Sequence, residues 1–427
     1  MPWGAPWYLA AMRLLPSAVD VLVIGAGPAG SVAGALLARE NLSTLIVERQ
    51  WFPRHVIGES LLPRCNLLLD QAGLLGAVEA RGYLPKHGAL FLRGAERQRF
   101  VFRESLQGDW TSSFQVPRDD FDQTLATAAQ TLGARVCFGH EVREVAFSPD
   151  GASVQLQDDH GGAHDVRARF VIDASGPARV LGRAMGSEAP TRFPARAALY
   201  THVEGDRRPA GEAEGDVWVC IHPEGAWLWI IPFRNGRTSV GVVGDPALLE
   251  RLPGASDTER LWSWLRTEPN AAERLAGATA VQPVRRLQGW TTEAPRLFGP
   301  GWAVAGNAGD FLDPVFSSGV LFALESGSRA ATLAARHLRG EPVDWEEDYQ
   351  APLRRALGVF RALIEAWYTG ELATIFFSPV KREQSIRDIT SLLGGNVFNE
   401  QNPFVGRDAR AGLERLRAII DRLQQRG

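Results

Sequence analysis

Val19-Asp20-Val21-Leu22-Val23-Ile24-Gly25-Ala26-Gly27-Pro28-Ala29-Gly30 is a strand, a turn and the start of a helix in immediate succession. Apart from Asp20 the first six residues are apolar, as in a buried parallel strand. Gly25 permits the tight turn, and Gly27 lets a pyrophosphate approach the backbone. Gly30 lets the helix pack close to the sheet, with Ala29 beside it. The helix, expected over Pro28–Arg39, turns its N-terminus toward that anion. Thr44–Val47 reads as a second buried strand. It ends at Glu48, 18 residues after Gly30, where a carboxylate accepts hydrogen bonds from ribose hydroxyls. Arg49 follows and is counted with the cofactor-binding residues. A glycine triplet alone is a weak signal, and a ligand-free turn is the bland reading. The β-α-β register with Glu48 in place selects a dinucleotide site.

The rest of the chain bounds what that site serves. The chain has 427 residues, enough for two or three domains. Its net charge of −3 leaves no basic excess for nucleic acid. No apolar stretch is long enough to span a membrane. Cys65, Cys137 and Cys220 are widely spaced, fit a reducing compartment and form no metal-ligand pattern; a cytoplasmic location is expected. Met1–Leu15 lacks the pattern of a signal peptide and reads as a disordered leader or a start misplaced ahead of Met12. Hairpins are expected at Ala89–Leu92 with Arg97–Phe102, and at Val154–Gln157 with Val166–Ile172. Ala198–Val203, Val217–Ile221, Trp227–Ile231 and Thr238–Val243 suggest an antiparallel sheet. Helices are expected at Asp119–Leu132 and Ser318–Leu338, and a buried strand at Trp302–Ala305. From Trp345 the pattern is helical to the end.

Three further motifs name the dinucleotide. Val304-Ala305-Gly306-Asn307-Ala308-Gly309-Asp310 resembles the segment that holds the ribityl chain in FAD-dependent hydroxylases. Asp310 matches its carboxylate. Phe170-Val171-Ile172-Asp173-Ala174-Ser175-Gly176 matches another motif of that superfamily, and Arg118 matches a residue near the flavin pyrophosphate. There is no second glycine triplet for a nicotinamide.

Trp227-Leu228-Trp229-Ile230-Ile231-Pro232 then matches in full the W-x-W-x-I-P signature of flavin-dependent halogenases. Alternation along a strand puts Trp227, Trp229 and Ile231 on one face; aromatic core packing is the competing reading. Lys86, in Pro85-Lys86-His87-Gly88-Ala89, resembles the active-site lysine of halogenases outside the tryptophan group. Of 46 basic residues only Lys86 and Lys381 are lysines, so an amine just before a strand reads as a chemical requirement rather than a solvated charge. A guanidinium stays protonated and does not replace an amine. Asp313-Pro314-Val315-Phe316-Ser317-Ser318-Gly319 opens the long helix. Its N–H groups favour an anion. Ser318 and Gly319 match the halide-binding pair of relatives, with Ser317 adjacent; a plain helix cap by either serine is the alternative. Pro314 and Gly319 also belong to the flavin side. Ile57-Gly58-Glu59-Ser60-Leu61-Leu62-Pro63 resembles the family's flavin-side strap, which places Ser60 near the cofactor.

The resemblance covers residues 18 to 345. It implies an α/β chain with a glutathione-reductase-type FAD-binding domain, an inserted antiparallel substrate-side sheet and a helical C-terminal region. The expected FAD-binding domain is discontinuous, 18–85, 116–190 and 282–344. The substrate-side sheet takes 86–115 and 191–281, and the helical region 345–427. The implied activity is halogenation with FADH2, oxygen and chloride or bromide, the reduced flavin coming from a separate reductase. Lys86 is expected to direct hypohalous acid onto an electron-rich substrate, phenolic or pyrrolic and free or tethered to a carrier protein. Trp227, Trp229, Ile231, Pro232 and Phe316 are expected to line its path. One departure bears on substrate: tryptophan halogenases carry a glutamate where this chain has Phe316, which disfavours tryptophan. A FAD-dependent monooxygenase of the same fold is the alternative, and a flavin dehydrogenase a weaker one.

Overall fold

The computed structural model describes residues 15–105, 110–186, 194–290, 292–380, 383–405 and 409–424. The expectations for residues 1–14 and for Lys381 lie outside these. The β-α-β unit forms as its pattern requires, with strands Ala18–Ile24 and Thr44–Glu48 flanking a helix over Pro28–Arg39. These two strands are parallel and centre a mixed sheet. Ala163–Asp173 pairs in parallel with Ala18–Ile24, Trp302–Val304 lies beyond it, and Arg135–Phe138 flanks Thr44–Glu48. Val21 and Val23 face the helices, whereas Leu22 and Ile24 face the ribbon built from His140–Ser148 and Gly151–Asp158. Both faces of the central strands are therefore covered, which explains their near-continuous apolar sequence.

The second sheet holds the four strands anticipated, paired antiparallel in the order Ala197–Glu204, Thr238–Gly244, Trp227–Pro232, Val217–Ile221. The hairpin of Gly88–Arg93 and Glu96–Val101 joins it through a parallel pairing with Val217–Ile221. Arg285–Gln288 also joins, pairing with Ala197–Glu204. One face of this sheet contributes Tyr200, Trp227, Trp229 and Ile231 to the central core. The other packs Leu228 and Ile230 on a helix, Asp257–Thr267, through Leu261 and Trp264.

The C-terminal region departs from continuous helix. Helices Ala351–Tyr368, Glu371–Phe377, Glu383–Leu393 and Ala409–Gln424 are interrupted, most clearly after Leu393, where Gly394-Gly395 breaks the ladder and Gly395 sits at φ +97°. Leu353, Leu357, Phe360, Ile364 and Trp367 are buried, as their spacing demands. Phe376 packs against Phe91 and Phe100, and Phe398 lies under Arg64 and Arg329. Phe404 is buried too, so these rings serve the core and the ion pairs.

Candidate functional site

The dinucleotide end is held by its own backbone. Gly25 sits at φ +100°, and a Cβ at Gly30 would fall 1.8 Å from the Gly25 carbonyl oxygen. No side chain caps the helix that starts at Pro28, so its first N–H groups remain for an anion. Glu48 is buried and accepts from Ala26 N at 3.0 Å and Gln50 N at 2.9 Å, which fixes the carboxylate at the strand end. Arg49 beside it is exposed. Ala29 packs against Gly306, bringing the first helix and the Gly306–Ala308 turn together. These uncapped N–H groups and the close approach that only glycine permits fit a dinucleotide.

Arg118 does not hang free toward a phosphate. It forms a two-bond pair with Asp122 at 2.7 and 3.0 Å and donates to the Ile57 and Gly58 carbonyls, pinning the strap that carries Ser60. Arg54, unnoticed in the sequence, lies beside the glycine turn: its Nη2 is 3.3 Å from where a Gly27 Cβ would stand and 3.3 Å from Asp122 Oδ2. Asp310 is also engaged. Both its oxygens accept from Arg361 at 2.8 Å, and Arg354 is 3.3 Å away. Burial pushes its carboxyl up to about 6 against the pull of Arg361 and Arg354. Asn307, three residues earlier, follows Gly306 at the end of the buried strand and has no hydrogen bond among the described residues. It is the freer polar side chain of this motif.

The segment before the long helix has the geometry of an anion-accepting turn. Asp313 accepts from Val315 N, Ser317 adopts a left-handed conformation at φ 58°, and the helix runs from Ser318 to Leu338. No side chain caps that helix, so the capping alternative for Ser317 and Ser318 is not realised. Ser318 is buried, and a Cβ at Gly319 would meet nothing within 4 Å. Pro314 begins the short turn, and Phe316 packs edge-on against Trp367 at 6.1 Å.

Trp227, Trp229 and Ile231 share the central face, with the two indole centroids 6.0 Å apart; Pro232 ends the strand. Their polar edges are satisfied. Trp229 donates to Ser239 at 3.0 Å, and Trp227 to the Tyr368 hydroxyl at 3.1 Å. Tyr368 in turn donates to Asp313 Oδ2 at 2.7 Å. Burial pushes the Asp313 carboxyl up to about 6 and the Tyr368 hydroxyl well above its ordinary value. One chain of hydrogen bonds thus joins the tryptophan strand, a C-terminal helix and the turn before Ser318. Tyr368 belongs to no motif in the sequence.

Lys86, expected just before a strand, lies in the core with a backbone partner. It is 1% exposed, the last residue of a short strand, Leu84–Lys86, paired with Ser113–Gln115. Alternation turns Leu84 and Lys86 inward and leaves Pro85 outside. Its amine donates to the Leu61 carbonyl at 2.9 Å and stands 5.4 Å from the Phe102 ring centre. Burial pulls the amine down to about 7, with Cys65 and Asp216 opposing the shift.

Among the described residues no group of three or more metal-binding side chains assembles, and no helix is long and apolar enough to cross a membrane. The family described as FAD binding domain matches residues 18–293. A tryptophan 2-halogenase of Chondromyces crocatus is 34% identical over 77% of this chain, which spans 63% of that relative's length. A flavin-dependent halogenase of Armillaria mellea is 30% identical over 78% of this chain and 70% of its own. A 1H-pyrrole-2-carbonyl-[peptidyl-carrier protein] brominase of Pseudoalteromonas luteoviolacea is 29% identical over 89% of this chain and 92% of its own. Among solved structures, a flavoprotein/dehydrogenase from Cytophaga hutchinsonii superposes with TM-score 0.92 at 40% identity, covering 95% of this chain and 100% of that one. The myxobacterial chondrochloren halogenase CndH gives 0.77 at 28% identity over 95% and 97%. Matching family, relatives and fold agree, and the chain belongs to the flavin-dependent halogenase family.

Proposed function

We propose that this chain halogenates an electron-rich organic substrate, with Lys86 delivering the halogen. The observation that carries this reading is the state of Lys86: a buried amine with a single protein acceptor and a protonation equilibrium drawn to about 7. At neutral pH such a group both donates a proton and offers a lone pair, as an arginine does not. Reduced FAD, oxygen and halide supply the oxidised halogen.

The residues divide the work. Gly25, Gly27, Ala29 and Gly30 offer backbone to the pyrophosphate, with Glu48 on the ribose, Arg49 and Arg54 beside the turn, and Arg118 holding the strap and Ser60 in place. Asn307 is placed at least as well as Asp310 to meet the ribityl chain, because Arg361 already occupies both Asp310 oxygens. The uncapped helix start at Ser317, Ser318 and Gly319, next to Pro314, holds the halide. Trp227, Trp229, Ile231, Pro232 and Phe316 wall off the substrate from the flavin. A separate reductase supplies FADH2, since no nicotinamide fingerprint accompanies the FAD site. Phenols, pyrroles and carrier-tethered acyl groups are the proposed substrates. Phe316 in place of a glutamate argues against tryptophan, and the name of the Chondromyces crocatus relative argues for including it in any screen.

The test combines FAD, a flavin reductase, NADH, oxygen and either chloride or bromide with phenols, pyrroles, tethered acyl groups and tryptophan. Mass spectrometry is expected to show the halogen isotope pattern in a product. A hydroxylated product without halogen would instead establish a monooxygenase. A second reading has its own observation, the name flavoprotein/dehydrogenase on the Cytophaga hutchinsonii structure. It predicts that substrate bleaches the oxidised flavin without oxygen, whereas a halogenase leaves it yellow.

A further inference from the structure

We propose that Asp216 is the carboxylate that exchanges a proton with Lys86, across a buried cluster of polar side chains, during halogen transfer. The inference rests on the functional reading above and extends it to a residue outside every motif in the sequence.

This cluster, a polar chamber around the amine, is inferred from unpartnered atoms. Ser60 Oγ, Asn66 Oδ1, Ser113 Oγ, Gln115 Oε1 and Asp216 Oδ1 are all buried without a hydrogen-bond partner. Buried polar atoms are nearly always paired, and each orphan costs free energy. These five are contiguous in the fold. Ser113 lies opposite Lys86 and Gln115 opposite Leu84 in the small sheet, so their side chains share the face of the amine. Ser60 bridges to Gln115, and the next residue, Leu61, accepts the bond from Lys86. Asn66 Nδ2 donates to the Ser112 carbonyl at 3.1 Å, next to Ser113. Such a ring of acceptors around a donor with hydrogens to spare is a site for ordered water.

Asp216 is the carboxylate of this ring, and backbone packing seats it there. A Cβ at Gly215 would fall 1.9 Å from the Pro85 carbonyl oxygen, so the segment lies directly on the lysine strand. Gln115 Nε2 donates to Gly215 O at 2.8 Å. A Cβ at Gly88 would come within 3.3 Å of Asp216 Oδ1. Asp216 Oδ2 accepts from Arg99 at 2.6 Å, which leaves Oδ1 free. The titratable groups acting on Lys86 are Asp216 and Cys65, whose thiol burial pushes up to about 12 and so keeps neutral; those acting on Asp216 are Arg99, Lys86 and His87. Glu212 lies 3.9 Å from both Arg99 and His87 and also meets Arg103, forming a polar path to solvent. Burial lowers the lysine and raises the aspartate, bringing their proton affinities toward one another.

The step balances. The Lys86 ammonium gives a proton to the hydroxyl oxygen of hypohalous acid as the oxygen–halogen bond breaks, and water leaves. The halogen bonds to the substrate carbon. The proton lost from that carbon passes to Asp216 and returns to the Lys86 amine.

The chain has only two lysines, Lys86 and Lys381, which makes the amine directly observable. FAD-loaded protein carrying 13C,15N-lysine is titrated by NMR without substrate or halide, and Lys86→Met assigns the signal. Asp216→Asn is expected to lower the Lys86 pKa by about one unit or more. It should also cut halogen transfer at pH 7 by at least about tenfold, while FAD binding and oxygen consumption stay at wild-type levels. Asp216→Glu keeps the charge and should hold the Lys86 pKa near its wild-type value. If Asp216→Asn does not fold, the double variant Arg99→Gln/Asp216→Asn removes the ion pair together and is read the same way. An unmoved Lys86 pKa overturns the proposal, and so does a shifted pKa with unchanged halogen transfer. Wild-type protein that halogenates nothing defeats the functional reading alone, because the titration is read without turnover.

Discussion

The glycine turn at Gly25–Gly30 and the chamber around Lys86 solve opposite problems. At the turn the backbone does the work. Glycines permit a close approach, the helix leaves its first N–H groups uncapped, and the one carboxylate, Glu48, is locked by two backbone donors. At the chamber the side chains do the work, and they come from separate segments: the strap at Ser60, the helix at Asn66, the paired strands of Lys86 and Ser113, and the loop at Asp216. The turn of the first site is built within a short stretch of chain, with uncapped N–H groups at its helix start. The second exists only when distant segments close on one another, and it holds a titrating amine where burial is costly. Binding sites made of backbone tolerate little change in shape; sites made of buried ionisable groups tolerate little change in charge.

The largest expected effect removes the C-terminal helices, which pack on both sheets. Trp345 stacks on Phe170 at 5.3 Å, Tyr349 donates to the Val304 carbonyl at 2.7 Å, and Trp367 packs on Phe91 and Phe316. Truncation after Asp344 is expected to yield aggregated, flavin-free protein; a soluble and active fragment would show that the tail is dispensable.

Lys86→Met separates the two sites. Halogen transfer should fall by at least about a hundredfold, with FAD affinity and oxygen uptake retained, as read by product analysis, fluorescence and an oxygen electrode. Lys86→Arg should be equally inactive and less stable, because a permanent charge replaces an amine that burial holds near neutrality. Gly30→Ala is the reciprocal test. Its Cβ collides with the Gly25 carbonyl, so stability should drop by about 1–3 kcal/mol in denaturant titration, with loss of tightly held FAD.

The pH dependence of stability sharpens the contrast further. The Lys86 amine lies at about 7 in the folded chain and at about 10.4 when unfolded. Between those values the unfolded chain binds the extra proton, so the contribution of Lys86 to stability rises with pH. Below about 7 the cost of burying the charge is present in full. Lys86→Met should therefore gain most in Tm below pH 7, and the gain should shrink toward pH 10. A gain independent of pH would mean that the amine is not perturbed as described. The smallest effect is expected from Tyr368→Phe, which cuts the link between Trp227 and Asp313 and should cost about 1–3 kcal/mol, with FAD still bound.

Much was readable in the residues themselves. Local pattern set the helix at Pro28–Arg39 through its small residues, the helix at Ser318–Leu338 through its apolar spacing, and the tryptophan strand, which is buried on both faces, through its unbroken apolar run. The glycine turn was equally legible, since its constraint is local and only glycine meets it. Lys86 stood out through an odd bias, an amine in a chain of arginines. Its burial did not, nor did the fact that Asp310 is held by Arg361 and that Arg118 and Arg54 share Asp122, which leaves Asn307 as the freer polar side chain of its motif. Asp216, Tyr368 and Asn66 carried no motif at all. Sequence alone determined the elements and the dinucleotide turn, because those depend on neighbours along the chain. Tertiary structure alone decided which buried polar atoms face one another and which are already spoken for, because burial and ion pairing depend on segments more than a hundred residues apart, such as Lys86 and Asp216.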